Sequence, residues 1–126
     1  YGPAIRNLIL HQQFELSYIY EEPLKHFDED TAIRVENIRG NILFIYAKED
    51  LMWPSKEAVA YMVERLEKHR FAFRVDVLEY EKASHILVPL NPPKLKMFKI
   101  ERQYPEDCRH SREDAFHKTI KWISEV

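Results

Sequence analysis

The chain has 126 residues, 45% apolar and 32% charged, with a formal net charge of −2, enough for one domain with a real core and no electrostatic reason to expect nucleic acid or an anionic membrane as partner. A single cysteine, Cys108, excludes an internal disulfide framework, a CxxC redox motif and a cysteine-rich metal site, and suits a reducing, cytoplasmic setting. No apolar run approaches the ~20 residues of a transmembrane helix, and the N-terminus has no signal-peptide layout.

Residues 1–37 read as short helices and loops. Leu8-Ile9-Leu10 and Phe14 to Tyr20 are apolar without sustained periodicity, Glu21-Glu22-Pro23-Leu24 interrupts them, and Glu29-Asp30-Thr31-Ala32 can start a short helix ending near Glu36. The aromatic content of this segment argues that it packs against something. Ile42-Leu43-Phe44-Ile45-Tyr46 is an unbroken apolar run after Gly40-Asn41, which predicts a strand over 41–47 buried on both faces. Charges follow at Lys48-Glu49-Asp50, and Pro54-Ser55 opens a helix over 56–69, with Ser55 free to cap its first turn. Val59, Met62, Val63 and Leu66 give that helix its apolar stripe. Phe73 to Tyr80 alternate through most of their length and predict a second strand, with one better-covered face. Strand, helix and strand with short connections make a right-handed βαβ unit with parallel strands.

Residues 86–110 are proline-rich and read as a long irregular loop. Ser111-Arg112-Glu113-Asp114 resembles a capping box and predicts a terminal helix to about Ser124, with Ala115/Phe116, Ile120 and Trp122/Ile123 as its buried stripe.

In open α/β sheets, catalytic groups gather at the carboxyl ends of strands. Asp50 follows the first strand and His85 the second, so in a parallel unit both lie on one side of the sheet. An Asp that accepts a hydrogen bond from Nδ1 fixes the imidazole tautomer and leaves the other nitrogen as a general base. The order strand, acid, helix, strand, His is that of the last part of an α/β-hydrolase triad. Asp at a strand end also serves as a turn or cap residue, and a His after a strand as a structural hydrogen-bonder. The remaining histidines, His11, His26, His69, His110 and His117, share no metal-ligand spacing, and Cys108 has no evident base beside it. With only Gly2 and Gly40, the chain holds no G-x-G-x-x-G, no P-loop and no G-x-S-x-G; no cofactor is expected, and the histidine spacing and single cysteine give no metal site.

A more specific pattern runs through Ile33-Arg34-Val35-Glu36-Asn37-Ile38-Arg39-Gly40, then Glu49-Asp50-Leu51-Met52-Trp53-Pro54-Ser55, Arg65-Leu66-Glu67-Lys68-His69, and Tyr80 ahead of His85. It resembles the C-terminal domain of the acyl-CoA thioesterase and bile acid-CoA:amino acid N-acyltransferase family, in an I-x-V-E-x-I-x-G lead-in, an acidic pair, W-x-S, R-L-x-x-H and a tyrosine shortly before the catalytic histidine. Ser84 stands where that family usually has glycine. The resemblance implies Asp50 as triad acid and His85 as triad histidine. It implies acyl-thioester hydrolysis or acyl transfer in the parent enzyme, with a Ser or Cys nucleophile that lies upstream in the family. The expected architecture is therefore α/β, the C-terminal portion of an α/β-hydrolase fold: one partial domain over 1–126, with a lead-in over 1–40 and the βαβ unit, loop and terminal helix over 41–126. Such a piece alone is expected to be inactive. A dienelactone-hydrolase or oligopeptidase-type fragment, and a non-catalytic α/β interaction module, stand as alternatives. The expected partners are an acyl-CoA or another acyl ester in the complete enzyme, and a second copy of the chain through the free edge of the first strand. Trp53, next to the acid, is expected to pack under the 86–110 loop and against the helix it precedes.

Overall fold

The computed structural model describes residues 6, 15–16, 19–20, 26–89 and 93–125. Leu8-Ile9-Leu10, the Glu21–Leu24 interruption and Phe14, Ser17 and Tyr18 of the Phe14–Tyr20 run lie outside the described residues.

The apolar run after Gly40 becomes β1, Ile42–Ala47, and the alternating run becomes β2, Val75–Tyr80. They pair in parallel from Ile42 opposite Val75 to Ala47 opposite Tyr80. Between them runs α1, Ser55–Lys68. The expected mixed α/β arrangement, a parallel βαβ unit, is thus present. Phe73 and Arg74 stay outside the second strand.

Side chains alternate across the two strands, which divides the core into two layers. On one face Ile42, Phe44 and Val75 pack with Leu66 and Met62 of α1 and with Val35. On the other, Ile45, Ala47, Leu78 and Tyr80 pack with Ala83 and Ala115. Leu66 is fully buried, which contributes roughly 1.5–3 kcal/mol relative to an exposed leucine. Val35 is held there by a 3₁₀ turn, Val35–Asn37, that follows another of equal length, Glu29–Thr31, capped by the Asp28 carboxylate.

The C-terminal third corrects the sequence reading. Residues 86–110 are not one irregular loop: a 3₁₀ helix spans Pro93–Met97, α2 spans Lys99–Gln103, and α3 spans Pro105–Ser124. Pro105 sits in the first turn of α3, where its missing N–H costs nothing. The helix therefore starts well before Ser111, whose hydroxyl donates to the Lys82 carbonyl and does not cap. The buried stripe is also displaced. Cys108, Arg112 and Ala115 face inward, with Trp122 half-buried, whereas Phe116, Ile120 and Ile123 are exposed. Apolarity alone picks the wrong face because the inward stripe includes an arginine, made tolerable by Glu101 of α2.

α3 is tied to the sheet at both ends of β2. Tyr80 Oη donates to Asp114 at 2.8 Å, and the Trp122 indole donates to Asp76 at 2.7 Å. The Trp122 hydrogen bond holds the Asp76 carboxyl below its ordinary value; burial, then Asp114, pushes the Tyr80 phenol up. Among the described residues, no helix is long and apolar enough to cross a membrane.

Candidate active site

β1 ends at Ala47, and the chain turns at once: the Asp50 amide donates back to the Ala47 carbonyl. The turn aims the Asp50 side chain inward, where it is 5% exposed. Oδ1 accepts the backbone N–H groups of Met52 at 2.9 Å and Trp53 at 3.4 Å. Oδ2 accepts the Ser55 hydroxyl at 2.5 Å and His85 Nδ1–H at 2.9 Å. Four donors around one carboxylate fix its plane, so the side chain acts as a preorganised acceptor for the imidazole. Ser55 differs from expectation here: it is the first residue of α1, makes no cap hydrogen bond, and spends its hydroxyl on Asp50.

β2 ends at Tyr80, and Ala83-Ser84 lead buried into His85. Parallel strands exit on the same side, so Asp50 and His85 meet there as expected. The other ring nitrogen, Nε2, accepts the indole N–H of Trp53 at 3.1 Å. An indole N–H can only donate, so Nε2 carries the lone pair and the neutral ring carries its proton on Nδ1. Among the described residues, the ring partners of Trp53 are Tyr20 and His85 and none comes from the 86–110 segment. The indole stacks on Tyr20 with centroids 5.1 Å apart and lies 6.2 Å from the His85 ring, and Trp53 remains about half exposed. The lead-in segment thus reaches the site, a connection reinforced by the Leu16 amide donating to the Leu51 carbonyl. Neither Tyr20 nor Ser55 carries a local signal for these contacts; both are set by tertiary placement.

His85 also borders a cavity of about 290 Å³, walled by Glu49, Leu51, Phe98, Ile100 and Tyr104. A larger one, about 510 Å³, lies by the C-terminal end of α1 among Glu29, Arg34, Tyr61 and His69. Of these two the smaller is the relevant one, because His85 lines it. Glu49 is exposed and makes no hydrogen bond to His85, which leaves Asp50 as the acid of the pair. Cys108 is fully buried, and burial pushes its thiol up to about 11, far from any nucleophilic role. Among the described residues, no group of three His, Cys, Asp or Glu side chains is arranged to hold a metal ion.

The motifs outside the site turn out to join one another. Glu36 of the I-x-V-E-x-I-x-G stretch takes both Nε and Nη2 of Arg65 from R-L-x-x-H, a bidentate pair with both side chains largely buried. Their neighbours Val35 and Leu66 pack together in the same layer. The Arg65 hydrogen bonds hold the Glu36 carboxyl down to about 2. These motifs therefore fasten the lead-in to α1, while Asp50, Trp53, Ser55 and His85 form the polar constellation. Residues 6–104 match the family described as BAAT / acyl-CoA thioester hydrolase C terminal. The chain belongs to that family. No curated protein and no solved structure matches it. Membership in the BAAT / acyl-CoA thioester hydrolase C-terminal family points to an acyl-CoA thioesterase or acyltransferase type of C-terminal region.

Proposed function

We propose that this chain supplies the acid and histidine of a catalytic triad in an acyl-CoA thioesterase or acyltransferase of the α/β-hydrolase superfamily. The observation that carries the reading is the 2.9 Å contact from His85 Nδ1 to Asp50 Oδ2, at the carboxyl ends of two adjacent parallel strands. Asp50 orients His85 and stabilises the imidazolium; Nε2 takes the proton of a Ser or Cys nucleophile and gives it to the departing thiolate, then takes a proton from the incoming water or amine and returns it to the Ser or Cys as the acyl-enzyme breaks down. The nucleophile needs a G-x-S-x-G or G-x-C-x-G elbow, which this sequence does not contain, so it comes from another part of the enzyme. The chain by itself then gives no turnover.

The test is made in the complete polypeptide that carries such an elbow, with an acyl-CoA as substrate. His85→Gln and Asp50→Asn should lower kcat by about 10³-fold or more, with KM changing little. Undiminished activity in either variant overturns the assignment.

One observation favours a non-catalytic reading: Nε2, the atom the base would use, is already engaged by Trp53. In that reading Asp50, His85 and Trp53 form a structural clasp between the two strand ends. The two readings part on whether Trp53 yields Nε2 when a nucleophile is presented.

A further inference from the structure

Outside the acid–histidine pair, the most deeply buried ion pair among the described residues joins α2 to α3 and reaches Ser84, the residue before His85. Glu101 is 6% exposed and Arg112 3%, and Arg112 Nη1 reaches both carboxylate oxygens of Glu101, at 2.6 and 2.7 Å. A buried ion pair is a weak source of net stability, because desolvating both groups offsets most of their attraction. What this pair does have is a third member. Ser84, 2% exposed, donates its hydroxyl proton to Glu101 Oε1 at 2.6 Å.

A hydroxyl has one proton and two lone pairs. With the proton committed to Glu101, the lone pairs face the other way, and one accepts the Ile86 backbone N–H at 3.3 Å. One side chain therefore fastens the residues on both sides of His85: Ser84 itself, and Ile86 through its amide. The direction of that hydroxyl is set by a carboxylate, which is set in turn by Arg112. The catalytic pair depends on that stretch of backbone, since the 2.9 Å bond to Asp50 tolerates little displacement of the imidazole.

We propose that Glu101 is a positioning residue for His85, acting through the Ser84 hydroxyl, with Arg112 fixing the carboxylate. Its catalytic meaning rests on His85 being the base, but the positioning itself is a property of this chain alone. The geometry explains why a glutamate in a short polar helix is buried: its carboxylate is aimed at the strand-exit loop, not at solvent.

The experiment reads the His85 ring proton directly, in the ¹⁵N-labelled chain. The unsubstituted protein should show a protected Nδ1–H resonance. Ser84→Ala removes the hydroxyl and leaves the Glu101–Arg112 pair intact; it should speed exchange of that ring proton at least tenfold while the backbone amide spectrum stays native. Glu101→Gln combined with Arg112→Met removes both charges together and should do the same. A serine that only filled space would lower Tm and leave ring-proton exchange unchanged, and that result in Ser84→Ala overturns the proposal even if the double variant fails to fold. A missing Nδ1–H signal in the unsubstituted chain would instead overturn the Asp50–His85 hydrogen bond, and with it the catalytic reading.

Discussion

The indole N–H of Trp53 donates to His85 Nε2 at 3.1 Å, so the same imidazole is held at Nδ1 by Asp50 and at Nε2 by tryptophan. The ring is aimed and its tautomer fixed, but its working lone pair is covered. Trp53→Phe keeps the stack on Tyr20 and removes only the N–H. A neutral hydrogen bond contributes ~1 kcal/mol, so Nε2 should become roughly fivefold more available. Carbethoxylation of His85, followed by peptide mapping, should accelerate by about that factor. An unchanged rate would mean that tryptophan does not hold the nitrogen in solution.

α1 ends in a Schellman arrangement: the Arg70 amide donates to Glu67 and the Phe71 amide to Leu66. The arrangement needs a left-handed residue, and in this glycine-poor chain that residue is Arg70, with φ 52°. A side chain there is strained by about 1–2 kcal/mol, of which glycine returns part through its greater unfolded-state entropy. Arg70→Gly should therefore stabilise the protein by about 0.5–1 kcal/mol, read as a higher urea midpoint at unchanged m-value. A lower midpoint would show that the arginine side chain contributes something the glycine loses.

The Glu36–Arg65 pair sets an acid limit. Arg65 holds Glu36 at about 2 in the folded protein, against an ordinary value of 4.5. Below 4.5 the unfolded chain takes up a proton before the native state does, so the stabilisation present above that pH is lost as pH falls toward about 2. Glu81, held down by Lys48, and Asp114, held down by Lys118, shift in the same direction. Urea midpoints at pH 6 and pH 3 should differ in favour of pH 6, and Glu36→Gln should narrow the difference. Equal narrowing by Glu29→Gln, a carboxylate without this pairing, would refute the assignment to Glu36.

Among the described residues, β1 is paired on one side only, by β2. We propose that its other edge, with the large side chains of Ile42 to Tyr46, pairs in a two-fold dimer. The exposed stripe of Phe116, Ile120 and Ile123 adds apolar surface that solvent does not favour. Sedimentation at micromolar concentration should give twice the mass of the chain. A monomer at that concentration overturns the proposal.

Much of this protein is written locally. An apolar run long enough for one strand, an alternating run for the next and a helical stripe between them dictate a parallel βαβ unit, since each pattern is set by a single element's own geometry. That topology puts Asp50 and His85 on the same side of the sheet before any distance is known. The short motifs are legible too, although their meaning is not: nothing in V-E or R-L says that Glu36 will grip Arg65. What only the tertiary structure decided involves polar groups whose partners are distant in sequence. Glu101 and Arg112 could be buried because they meet, and their meeting turned the inward face of α3 away from Phe116, Ile120 and Ile123. Ser55 serves Asp50 rather than its own helix, and the Trp53 indole serves His85, because a hydrogen-bonding group pairs with the partner that the fold brings within reach. Apolar periodicity is a property of one segment; hydrogen-bond satisfaction is a property of the whole fold.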